Sequence, residues 1–217
     1  MRRLSLLLTI LIPLGILGCE PAAKKPTEPP PPPVRTAAEI ANEIRAPIQQ
    51  MVTAYMGTKF EIPEFELAAG LNQVRQLKQK NMAEEHGAEG IRAATTDTQS
   101  FIKTADESKA WGVVVFACDA LKILDPANTN YDRFRERAMV YINMPRVTIT
   151  GFTKIGDDPP VVLISVYLPE TKQTVSERVR EGEELLGLRF INIIGNNRGL
   201  LIEHIQTGEE LEVLYKR

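Results

Sequence analysis

The chain has 217 residues, 43% of them hydrophobic and 25% charged, the range of an ordinary folded protein. Its 26 basic and 28 acidic residues leave a net charge of −2. That balance supplies no overall pull toward DNA or RNA and argues against a general nucleic-acid binder. Two cysteines and two histidines are too few for a usual four-ligand zinc site. No metal, cofactor or small-molecule substrate is expected, and the length suggests one or two domains.

Met1-Arg2-Arg3 is a basic start, followed by an almost unbroken apolar run from Leu4 to Leu17. The run is too short for a membrane-spanning helix, which needs roughly 20 residues, and Pro13 and Gly15 weaken a helix there. A basic start, a short apolar stretch and a small residue before a boundary describe a secretory signal. Ile16-Leu17-Gly18-Cys19 then resembles the lipobox of bacterial lipoproteins. The resemblance implies that residues 1–18 are removed and that Cys19 is diacylated on sulfur and becomes the new N-terminus. Two or more acyl chains give a stable bilayer anchor, because each buried methylene contributes about 0.8 kcal/mol.

Residues 20–34 hold seven of the chain's 15 prolines. This stretch, with Cys19 the linker 19–34, buries little and lacks donors for a ladder. It is expected to sample polyproline II at about 3.1 Å per residue, a semi-rigid spacer of at most about 45 Å.

Residues 35–145 are expected to be helical. Thr36 and Glu39 have capping-box spacing, and Ile40, Ile44, Ile48, Met51, Val52 and Tyr55 follow at helical intervals. Pro47 should kink or split this helix near Arg45. A second helix should start after Pro63 with Leu67, Leu71, Val74, Leu77 and Met82 on one face, and Gly87 suits its stop. His86, beside that glycine, reads as a cation on exposed carbonyls. The pattern weakens from Gly90 to Lys109. Trp111 to Leu124 reads as a buried helix although Val113-Val114-Val115-Phe116 alone would pass for a strand, and Cys118 within it reads as a small buried hydrophobe. Asn130 is placed to cap a last helix carrying Tyr131, Phe134, Ala138, Tyr141 and Ile142.

After Pro145 the chain turns strand-rich. Expected strands cover 147–151, 161–168, 172–179, 185–194, 199–205 and the segment from Leu211 to Tyr215. Turns fall at Asp157-Asp158-Pro159-Pro160, Gly195–Gly199 and Thr207-Gly208. The fold class is therefore α+β: a helical N-terminal half followed, over 146–217, by a small antiparallel β-barrel or sandwich of five or six strands. At this length the β-domain buries only about 60% of its surface and can lean on the helical half. Asn192 and His204 read as edge or hydrogen-bonded core groups.

Val147-x-Ile149-x-Gly151, the strand Val161–Leu168, Gly182-Glu-Glu-Leu-Leu-Gly187, the strand Phe190–Ile194 and the Gly208 hairpin together are similar to the periplasmic β-domain of PilP-type pilus-assembly lipoproteins. They are also similar to the related homology region of the inner-membrane adaptor of type II secretion systems. The resemblance covers residues 147–216 and the first 34, not residues 35–145. It implies a structural adaptor facing the periplasm that bridges envelope proteins of a type IV pilus or secretion assembly, with no catalytic residues. Glu20 after the cysteine leaves the choice of membrane open, and the resemblance favours the inner one.

Two other readings stand beside this. The helical region can be the working surface, a protein-binding scaffold of unrelated function. A surface enzyme needs a base beside a nucleophile; only His86 and His204 are available, no G-x-S-x-G occurs, and Asp157-Asp158 sits in a solvated turn, so an enzyme is not expected.

Overall fold

A computed structural model describes residues 33–58, 62–154, 159–195 and 197–216. The lipobox with Cys19, the linker to residue 32 and the Asp157-Asp158 pair lie outside these residues. Contacts group Arg35–Arg217 as one compact unit.

Among the described residues five helices come first: α1 (Ala37–Tyr55), α2 (Glu64–Asn81), α3 (Gly87–Glu107), α4 (Trp111–Leu124) and α5 (Asp132–Ile142). The capping box at the start of α1 is formed. Thr36 Oγ1 accepts from the Glu39 amide at 3.3 Å, and the Glu39 carboxylate accepts from the Thr36 amide at 2.8 Å. Pro47 does not split α1, which runs unbroken through it with the ring buried. Packing of Pro47 beside Ile44 and Ile48 against the core offsets the one backbone bond the ring removes.

Gly87 starts α3 rather than stopping α2, which ends six residues earlier. A Cβ at Gly87 would stand 1.9 Å from the Asn81 carbonyl oxygen, so close backbone approach demands glycine here. His86 therefore lies at a helix N-terminus, where a cation gains nothing from the dipole, and its side chain makes no capping bond. Asn130 does not cap α5. The cap position is Tyr131, with no side-chain bond, while the Asn130 amide donates to the Asn128 side chain at 3.2 Å.

The helices form an up-and-down bundle. α1 and α3 run in the same sense, since Gly90 lies against Ile40 and Arg45 bonds Asp97. Tyr55 at the end of α1 reaches Glu66 at the start of α2, so α2 runs back. α4 is buried on nearly every face and is the axis of a core that includes Ile40, Ile44, Ile48, Val74, Ile102, Phe116 and Leu121. That all-round burial explains why its sequence is apolar without a polar stripe.

Seven strands follow among the described residues: β1 (Arg146–Thr153), β2 (Val161–Leu168), β3 (Gln173–Val179), β4 (Glu184–Leu185), β5 (Leu188–Ile194), β6 (Gly199–His204) and β7 (Glu209–Leu214). They form two antiparallel sheets, β1-β2-β3 and β4-β5-β6-β7. The expectation of five or six strands missed β4. Leu186 and Gly187 both have positive φ, 54° and 78°, as a two-residue hairpin turn requires, and they divide the expected strand 185–194 in two. The sheets share one buried core of Ile149, Val162, Ile164, Val166, Val179, Leu188, Phe190, Leu200 and Ile202. No barrel closes among the described residues, because the β4 edge is only two residues long and cannot carry a closing ladder.

Candidate functional site

The end of α3 shapes the junction between helices and strands. Ala110 donates to the Ala105 carbonyl at 2.9 Å and Lys109 to the Asp106 carbonyl at 3.0 Å, with Lys109 at φ 53°. This is a Schellman stop, and it reverses the chain so that Trp111 opens α4. Tyr141, near the end of α5, stacks on Trp111 at 4.2 Å between ring centres and 6° between planes. One turn later the chain becomes β1.

The stacked rings, Met144 and Pro145 form one wall of a cleft of about 300 Å³, and Val147, Leu211 and Val213 form the other. Lys109 and Glu209 pair across its rim at 3.7 Å. A second cleft, about 610 Å³, lies between Leu67, Val115, Met139 and Ile142 on the helical side and Pro169, Glu170 and Lys172 at the β2–β3 turn. Lys172 bonds Glu64 at 2.9 Å across it. Both clefts are mainly apolar, which suits side-chain or small-ligand burial rather than proton transfer.

The histidines stand apart. His86 is half-buried with its Nδ1 4.0 Å from Glu89. His204 is buried, and its Nδ1 lies 2.9 Å from the Thr207 hydroxyl. Burial pushes its imidazole below the ordinary value, with Glu209 pulling the other way. Cys118 is buried beside the Tyr131 carbonyl at 3.6 Å, and burial pushes its thiol up to about 12, which keeps it protonated and unreactive. Asn192 is exposed on β5 after a bulge at Phe190/Asn192. Among the described residues no group of three or more His, Cys, Asp or Glu is placed to hold a metal. Among them, too, no helix is long and apolar enough to cross a membrane.

The charged rim at residues 178–184 does structural work. Glu181 accepts from the Ile193 amide at 2.7 Å and Glu183 from the Arg180 amide at 2.9 Å; Glu184 bonds Arg189 at 2.8 Å. These carboxylates pin the β3–β5 connection. Strand β3 is different. It pairs with β2 alone among the described residues and is exposed at five of its seven positions. The two clefts and this free edge were not legible in the sequence. Trp111 and Tyr141 are 30 residues apart with no spacing signal, and an edge strand is recognised only once the strand order is known.

No protein family matches the chain, and comparison with curated proteins and with solved structures likewise gave no match.

Proposed function

We propose that the chain is a lipoprotein anchored through acylated Cys19, facing the periplasm, that serves as a structural adaptor between envelope proteins. The assembly is of the type IV pilus or type II secretion kind, on the inner membrane. The signal-like start, the Gly18-Cys19 pair and the Pro-rich spacer support the anchor. The two antiparallel sheets over a common core, read as a small sandwich, support the resemblance to the adaptor β-domain.

One observation carries the adaptor reading: β3 offers an exposed, seven-residue strand edge. Such an edge binds a partner by adding an extended segment to the sheet, with main-chain hydrogen bonds supplying affinity. The test places a photo-reactive amino acid at Ser176 in the full-length chain in its native membrane. A discrete cross-link to one envelope protein, absent when the reactive group is at Glu107 on α3, is the expected result. Equal labelling from both positions, or none from Ser176, counts against the reading.

A further inference from the structure

The outward face of the four-stranded sheet has an unusual charge pattern. Register places Glu184 opposite Arg189, Arg189 opposite Glu203, and Glu203 opposite Glu210. Arg189 is the one base in this row, and it is engaged by both Glu184 and Glu203 at 2.8 Å. Glu210 is left facing the like charge of Glu203, and Glu212 follows two residues on, on the same face. Leu211 and Val213 between and beyond them pack into the core. Like charges directly opposite one another destabilise a sheet.

In the next row along the same face Leu201 lies between Asn192 and Glu212, and beyond it Ile194, Gly199 and Leu214 align across β5, β6 and β7. Leu214 is 59% exposed. At Gly199 a side chain would meet the Val213 carbonyl at 2.8 Å and Ile194 at 3.0 Å, so this part of the surface stays flat. An acidic row thus lies near a small aliphatic patch made by half-buried Leu201 and Ile194 and exposed Leu214.

We infer that this face is a docking surface for a cationic amphipathic helix of a partner protein, with lysines or arginines over Glu203, Glu210 and Glu212 and aliphatic side chains over Leu201 and Leu214. Charge complementarity selects the occupant: the paired strand positions of this face carry four carboxylates against one guanidinium, with Lys216 beyond the end of β7. An anionic bilayer is repelled by the same charges. A helix fits better than an added strand, because one edge of this sheet is the two-residue β4 and the other, β7, abuts β1. Residues one helical turn apart are about 6 Å apart, near the spacing of Glu210 and Glu212, which are two residues apart on a strand. The inference rests on the adaptor reading and names one partner element, separate from the β3 edge.

The test uses the full-length chain in detergent and, as probe, a synthetic Leu/Lys amphipathic peptide of about five helical turns. Calorimetry should show binding that weakens with added salt. The double variant Glu210→Lys/Glu212→Lys should weaken it by about tenfold or more. Glu85→Lys/Glu107→Lys, of the same net charge but at exposed positions in the α2–α3 turn and on α3, should leave it unchanged. Glu210→Lys also puts an ammonium opposite Glu203, so the face variant should melt no lower than the parent, which excludes misfolding as the cause. Equal loss in both double variants means bulk charge and overturns the inference. So does equal binding of a Leu/Glu peptide, or self-association of the parent that the face variant abolishes, which makes a second copy the occupant. Loss of the Ser176 cross-link with peptide binding intact would instead bring down the adaptor reading alone.

Discussion

At the residue scale, Gly90 shows how tightly the helices are set. A Cβ there would stand 2.6 Å from Cγ2 of Ile40, 2.7 Å from its Cβ and 3.0 Å from the Ala37 carbonyl oxygen. The first is a branched side chain held in the core and the last is backbone, so neither yields cheaply. Gly90→Ala is therefore expected to cost about 1–3 kcal/mol by forcing α1 and α3 apart, against the gain of up to about 1 kcal/mol that the same change gives on an exposed helix. Urea titration reads the difference, and an unchanged midpoint would contradict the crossing. His204 sets a pH dependence. Its folded-state value lies below its unfolded one, so the unfolded chain takes up a proton first as pH falls below about 6.5. Stability is then lost over the window between the unfolded value and the lowered folded value. His204→Gln should flatten that part of the melting-temperature profile, and an identical slope in the variant would show that other groups set it.

At the element scale, the turn between β4 and β5 contains a correctable strain. Leu186 holds φ at 54° ahead of Gly187 at 78°, a conformation that costs a non-glycine residue about 1–2 kcal/mol and that Asn-Gly fills most readily. Leu186 is also more than one-third exposed, so little packing is lost on replacement. Leu186→Asn should stabilise the protein by about 0.5–1 kcal/mol, measured by denaturant midpoint; a lower midpoint would mean that the leucine is held by packing. Most element positions were legible in advance, because capping chemistry at Thr36-Glu39, the break at Pro63 and the alternation of Val147–Gly151 are local signals. The differences share one cause. Gly87 reads as a stop in sequence because glycine is most often one, but the Asn81 carbonyl that excludes a side chain there approaches from the preceding helix. Pro47 reads as a kink or split because its ring removes a donor, but burial beside Ile44 and Ile48 keeps the helix from splitting. The Leu186-Gly187 turn was hidden because leucine rarely adopts positive φ. The acidic face shows the same limit: Glu210 and Glu212 alternate visibly in sequence, but that Glu203 faces Glu210 is a matter of register.

At the scale of the whole molecule, connectivity and bundle direction combine. Arg35, at the start of the compact unit, is clamped by Glu43, Glu84 and Asn81 at the end where α3 begins. The strands attach at the other end, near Lys109 and Trp111. α3 has 21 residues, a length of about 32 Å at 1.5 Å per residue, so the bundle separates Arg35 from the start of the β-strands by about that distance. The proposed adaptor role requires Arg35–Arg217 to hold together as one unit. The ion pairs Lys109–Glu209 and Lys172–Glu64 cross from helices to strands, and the Trp111–Tyr141 stack of α4 on α5 lines the cleft between them. Trp111 is the chain's only tryptophan and sits at this junction, so its fluorescence reports there while far-ultraviolet circular dichroism reports the helices. The two melting curves should coincide; a fluorescence transition well below the dichroism transition would show that the junction opens first.

The adaptor account depends on the tether above all. Intact-mass spectrometry of the full-length gene product, extracted from membranes with detergent, tests it most directly. The account predicts a chain that starts at Cys19, lacks residues 1–18 and carries two or three fatty-acyl groups on that residue, with Cys19→Ala accumulating as the uncleaved precursor. A chain recovered from the aqueous fraction with no acyl group at Cys19 would contradict it.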